Sequence, residues 1–170
     1  MNRIEERFLR LRQEGQKGFV VYIGAGDPDL DATHDLALAF DEIGVDVLEL
    51  GVPFSDPLAD GLVNQLAAQR GLDSGTTPGK LLQTVSRIRE SSGIPIVLYV
   101  YFNLLHKWGL AEFVQTAAAA ARRASPLYAE LGTAAWLAPG PQRRWPLDDR
   151  RVAVPLTSTG SMALRRLQRR

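Results

Sequence analysis

Three apolar runs, at residues 19–23, 45–50 and 94–100, recur along the first hundred positions, with segments of helical period between them. Short continuous runs of this kind suit strands buried on both faces. Strands that alternate with helices argue for a parallel sheet joined by right-handed crossovers.

The helical segments carry their own punctuation. Ile4, Phe8 and Leu11 lie at helical spacing, and Gly15 is placed to end that helix. Asp29 or Asp31 can cap a second helix, with Leu36, Phe40 and Ile43 as its apolar face and Gly44 as its stop. A third helix is predicted over 62–70, after the Asp60-Gly61 turn. Thr76-Thr77-Pro78 starts a fourth, with Leu81, Leu82, Val85 and Ile88 on one face and Gly93 at its end. Leu110, Phe113, Val114, Ala117 and Ala118 mark a last one. Three strand–helix units fit the opening of an eight-fold barrel or of an open doubly wound sheet. Both place ligands at the strand C-termini.

The pattern stops near Ala121. Residues 1–120 hold 10 basic and 16 acidic side chains, a balance of −6, whereas 121–170 hold 10 Arg, no Lys and 3 acids, a balance of +7. The chain therefore divides into an α/β portion, 1–121, and an Arg/Pro/Ala-rich tail, 122–170. Only residues 151–156 of the tail hint at a strand, and 161–170 at a basic helix. A basic tail can contact nucleic acid or anionic lipid, but no aromatic is regularly interleaved with these arginines, so no nucleic-acid role is expected. No apolar run approaches the roughly 18 residues of a membrane span, and the charged N-terminus lacks the apolar segment of a signal peptide. The chain has no cysteine, which excludes disulfides and leaves a cytoplasmic setting unopposed. With no cysteine and no paired histidine spacing, no metal site is expected; His34 and His106 read as surface or packing residues.

The densest chemistry lies at residues 49–61, Glu-Leu-Gly-Val-Pro-Phe-Ser-Asp-Pro-Leu-Ala-Asp-Gly. An acid inside a strand is costly unless paired or used. A second acid, Asp60, opens the next helix. Pairing with an arginine or capping by backbone amides is the bland account of Glu49.

These thirteen residues resemble, nearly position for position, the signature of the tryptophan synthase alpha subunit. Two further stretches agree, Tyr22 to Pro28 (Tyr-Ile-Gly-Ala-Gly-Asp-Pro) and Tyr99 to Asn103 (Tyr-Val-Tyr-Phe-Asn). The resemblance covers about residues 1 to 121. It implies a (β/α)8 TIM-barrel type fold, here the N-terminal part of about three strand–helix units followed by the atypical tail. It implies a lyase of tryptophan biosynthesis that cleaves indole-3-glycerol phosphate to indole and glyceraldehyde 3-phosphate by a retro-aldol reaction.

In that resemblance Glu49 is the acid/base, and Asp60 accepts a hydrogen bond from the indole N–H. Tyr22 is a wall of the indole pocket and Tyr101 lies beside it, although either suits a core aromatic equally well. Gly26 and Asp27 match the first strand–helix loop. Pro53, Asp56 and Asn103 match positions facing the beta subunit, which receives the indole through a tunnel in an alpha2beta2 heterotetramer. They also suit ordinary loop chemistry. No cofactor is implied here; pyridoxal phosphate would belong to the beta subunit.

The family's glycine-rich phosphate loops should follow a fifth strand, and nothing matching them is present. An intact barrel takes about 250 residues. A non-catalytic half-barrel, as a remnant or a partner-dependent module, is therefore the alternative reading. Another phosphate-sugar barrel enzyme with a similar loop is a third. The composition of the tail suits a shifted frame through GC-rich coding DNA, and a deletion and fusion is the rival explanation. Resequencing the codons for Thr116 to Ser125 and translating all three frames separates the two.

Overall fold

A computed structural model describes residues 3–58 and 60–121, together with a strand at 151–156. The elements run α1 (Arg3–Gln13), β1 (Val20–Gly24), α2 (Leu30–Glu42), β2 (Val47–Gly51), α3 (Leu62–Asp73), α4 (Pro78–Ser91), β3 (Ile96–Tyr101), α5 (Phe102–Trp108), α6 (Leu110–Ala121) and β4 (Arg151–Leu156). The sheet order is β1-β2-β3-β4. The first three strands are parallel, as their alternation with helices requires. Strand β4, at the segment that hinted at a strand, pairs antiparallel with β3, from Ile96↔Leu156 to Tyr101↔Arg151. The three parallel strands with their helices form part of a barrel of the (β/α)8 kind.

Local signals explain most boundaries. The Asp29 side chain accepts the Ala32 N–H at 2.7 Å and caps α2. Thr77 caps α4, with Pro78 in its first turn. Gly15 follows α1, and Gly44 follows α2, at positive φ, where glycine carries no side-chain penalty. Asp46, just ahead of β2, accepts the Phe19 N–H at 2.7 Å and lies 3.4 Å from the Arg7 guanidinium. It thereby joins α1, β1 and β2 at the base of the sheet.

Period two decides which residues meet the core. Leu48, Leu50, Ile96, Leu98 and Val100 face the helices and are buried with Leu81, Val85, Ile88 and Phe113. Glu49 lies between Leu48 and Leu50, so its side chain emerges on the opposite face.

Three expectations need correction. Strand β1 is not buried on both faces: Val20 is 42% and Tyr22 37% exposed. It is the edge strand, and nothing among the described residues covers its other flank. The buried stripe of α2 is Thr33 and Ala37, with Phe40 partly packed on the core. Leu36 and Ile43 face outward, Ile43 being 73% exposed; the small side chains let α2 approach α4 closely. Finally, α5 was not legible as a helix, so Asn103 lies in its first turn rather than in a loop.

Candidate active site at the strand C-termini

The loops that follow β1 and β2 are locked together. Asp27 receives two hydrogen bonds from Arg70, from Nε and Nη2, each 2.7 Å. That bonding, more than burial, holds the Asp27 carboxyl below its ordinary range. The Gly26 N–H reaches Thr33 Oγ1 at 2.9 Å, and Ser74 Oγ donates to the Gly26 carbonyl at 3.1 Å. Gly71 lets α3 pass against the same loops. A Cβ there would stand 2.8 Å from the Ala25 carbonyl oxygen and 3.3 Å from Pro53.

On this frame the sheet presents two rows of aligned residues. Tyr22, Glu49 and Val97 are in register across β1, β2 and β3, and Gly24, Gly51 and Tyr99 form the next row. The Tyr22 phenol lies over Gly51, where any Cβ would collide with it. Tyr22 also meets Tyr99 edge to face, with ring centroids 5.9 Å apart. Beyond them the Asp60 carboxylate accepts the Tyr101 phenol at 2.6 Å, and Tyr101 stacks on Phe54 at 4.8 Å. Gln65 Nε2 donates to the Asp60 carbonyl at 2.8 Å, which fixes the turn. Gly61 takes the helix cap position without a side-chain bond, so the acid just before α3 turns to Tyr101 instead of capping. Tyr22, Pro53, Phe54, Asp60, Tyr99 and Tyr101 line one pocket. Glu49 lies on the same face of the sheet, two residues before Gly51.

The two carboxyl groups have different surroundings. Glu49 is half-buried, and loss of water pushes its pKa above the ordinary carboxylate range. Asp60 has a phenol donor beside it. A half-buried acid with raised proton affinity, on the same sheet face as an aromatic slot lined by a hydrogen-bonded carboxyl group, is equipped for acid–base work.

The structure therefore brings Tyr22, Glu49, Asp60 and Tyr101 to one end of the sheet. Pro53 is buried against Gly71, whereas Asp56 and Asn103 are exposed. Sequence reasoning gave no site role to Phe54 or Tyr99. Tyr99 was within reach, since it lies two residues from Tyr101 and so on the same face of β3. Among the described residues no group of three or more His, Asp or Glu is placed to hold a metal ion, and no helix is long and apolar enough to cross a membrane.

Three parallel strands alternating with helices, with two carboxyl groups and an aromatic slot at their C-terminal ends, place the chain in the (β/α)8-barrel fold class. The family model for the tryptophan synthase alpha chain matches residues 8–124. This chain belongs to the tryptophan synthase alpha chain family. The alpha chain of Caldanaerobacter subterraneus subsp. tengcongensis is 49% identical over 115 residues, covering 68% of this chain and 44% of the relative. That of Opitutus terrae is 50% identical over 117 residues, covering 69% and 44%. The crystal structure of the alpha subunit from Legionella pneumophila str. Paris superposes with a TM-score of 0.68 at 37% identity, covering 71% of this chain and 47% of that one. The chain thus spans less than half the length of these curated relatives.

Proposed function

We propose that this chain carries the indole end of an indole-3-glycerol-phosphate lyase site. The observation that carries the reading is the raised proton affinity of Glu49 on the same sheet face as the Tyr101–Asp60 pair. In the retro-aldol step Glu49 delivers a proton to the indole ring carbon that bears the glycerol chain. A base takes the proton of the chain's hydroxyl, the carbon–carbon bond breaks, and indole and glyceraldehyde 3-phosphate leave. Asp60 accepts the indole N–H. Its negative charge interacts more strongly as the ring becomes positive, which favours the transition state over bound substrate. Tyr22 and Tyr99 supply aromatic walls. The phosphate anchor is assigned to later parts of the barrel.

The proposed partner is a beta subunit in an alpha2beta2 assembly, reached through Pro53, Asp56 and Asn103, with pyridoxal phosphate belonging to that subunit. A cytoplasmic setting suits a biosynthetic enzyme of this kind. The test is indole release from indole-3-glycerol phosphate by the full chain with a beta subunit present. Release that Asp60→Asn abolishes supports the reading, and release that Asp60→Asn leaves intact sinks it.

Tyr101→Phe is a milder probe. It keeps the ring on Phe54 and removes the phenol donor from Asp60. A hydrogen bond to a charged group contributes about 1.5–3 kcal/mol, so kcat/KM should fall by about one to two orders of magnitude with circular dichroism unchanged.

A second reading, a non-catalytic half-barrel that works through a partner, is favoured by the uncovered apolar side chains Phe19 (63% exposed) and Val63 (78%). It is distinguished by a folded sample that releases no indole yet binds a partner chain.

A further inference from the structure

At the N-terminal ends of the strands, away from Glu49 and Asp60, α1 and the segment leading into β3 border a cavity of about 350 Å³. That volume suits a small ligand. Arg3, Glu6, Arg7, Arg10, Gly93 and Pro95 line it. The three arginines recur at i, i+4 and i+7, so one face of α1 carries them all.

Their charges are unequally neutralised. Arg7 lies 3.4 Å from Asp46, whose other oxygen accepts the Phe19 N–H. Arg10 meets Glu14 at 4.0 Å, with both side chains well exposed, and such a surface contact contributes little. Arg3 has no carboxylate partner among the described residues and reaches the Ala121 carbonyl, a neutral acceptor, at 3.5 Å. Glu6 is the one acid in the lining, and it is exposed.

A fourth cation lies close by. Arg89, fully buried in the last turn of α4, is repelled by Arg3. Its Nη1 donates to the carbonyl of Ser92, next to Gly93, and its Nε–Nη2 edge has no hydrogen-bond partner among the described residues. Asp41 attracts Arg89, but its Oδ2 accepts Ser92 Oγ at 2.6 Å. Strand β4 ends at this same end of the sheet, with Leu156 opposite Ile96. Residues 157–170, which follow it in the chain, hold four arginines and no acid.

We propose that the cavity between α1 and Gly93-Ile94-Pro95 binds a dissolved oligophosphate, an anion of two or more linked phosphate groups. Guanidinium groups pair with phosphate oxygens through parallel N–H donors. Arg3 and Arg10 lie about 10 Å apart along the helix axis, with Arg7 between them. A row of phosphates answers that spacing, and a single phosphate does not. The facing wall leaves room: a Cβ added at Gly93 would meet nothing within 4 Å. The inference is independent of whether Glu49 and Asp60 cleave substrate.

The test is calorimetric titration of the full chain with tripolyphosphate in metal-free buffer at low salt. Binding is expected, with inorganic phosphate weaker by about tenfold or more. Arg3→Gln and Arg10→Gln should each weaken tripolyphosphate binding by about tenfold or more, as the loss of a charge-assisted hydrogen bond implies. Gly93→Asp keeps every arginine and places a carboxylate in the open space, so it should abolish binding with circular dichroism unchanged. Arg12→Gln, on the same helix but outside the cavity, should leave the affinity unchanged. Phosphatidylglycerol vesicles are the second probe, and the wild type should bind them no more tightly than Gly93→Asp does. No binding of tripolyphosphate, equal losses for Arg12→Gln and Arg3→Gln, full affinity in Gly93→Asp, or binding to vesicles alone overturns the proposal.

Discussion

Glu49→Gln is expected to lower indole release by about 100-fold to 10,000-fold, the usual contribution of a positioned acid–base group, and to make the folded chain more stable at neutral pH. The two effects share one cause. Loss of water raises the Glu49 pKa in the folded state above its unfolded value. At acid pH the group is protonated in both states and costs nothing. As pH rises through the unfolded value, the unfolded chain releases its proton first, and stability falls. The loss is complete once pH passes the folded value and stays constant above it. Glutamine carries no charge and escapes it. Urea midpoints for wild type and variant should therefore coincide below the unfolded pKa and separate above the folded one, with Glu49→Gln the more stable. An inactive variant that is also less stable at neutral pH would show that Glu49 holds the fold together instead of acting on substrate.

Leu50→Ala carries the largest expected cost in stability. Leu50 is fully buried at the centre of the sheet, in register with Ile23 on one side and Leu98 on the other. Removing its side chain forfeits transfer free energy and leaves a cavity, together about 2–5 kcal/mol. Set against a net domain stability of about 5–15 kcal/mol, that is a large fraction. It should appear as a lower urea midpoint with an unchanged slope. The truncation also loosens β2 between Glu49 and Gly51, so activity should fall in samples that remain folded. Ile43→Ala is the control: that side chain faces solvent at the end of α2, and the change should stay within about 0.5 kcal/mol. A loss under 1 kcal/mol for Leu50→Ala would mean that the sheet does not pack as described.

The sequence made the backbone order legible because each parallel strand is a continuous apolar run and most helices carry a cap or a glycine stop. Thr77-Pro78 and Asp29 did what their chemistry predicts. The failures came where tertiary context outweighs local pattern. Leu36, Phe40 and Ile43 look like a helix face, yet α2 docks through Thr33 and Ala37 because close approach to α4 needs small side chains. The run in β1 looks like that of any interior strand; its place at the sheet edge depends on which other elements cover it. Helix α5 follows β3 without a turn residue, and only Gly109 at its end marks it. At the site, Glu49, Asp60, Tyr22 and Tyr101 stood out through a motif. The Tyr101–Asp60 bond joins residues 41 positions apart, and the Asp27–Arg70 pair residues 43 apart. No local rule connects residues so distant in the chain. The unpartnered edge of Arg89 was equally hidden, because Arg in the last turn of a helix ordinarily faces water.

The central claim is that the sheet half-buries Glu49 and so lets it keep a proton where an ordinary carboxyl would not. It is tested most directly by an NMR titration of the carboxyl carbon of Glu49 in the folded chain, assigned by its loss in Glu49→Gln. The measurement needs neither substrate nor partner. The account predicts a midpoint clearly above that of the same residue in the urea-unfolded chain. A midpoint at or below the unfolded value would contradict it, and would make Glu49 a solvated strand residue rather than the acid–base group of a lyase.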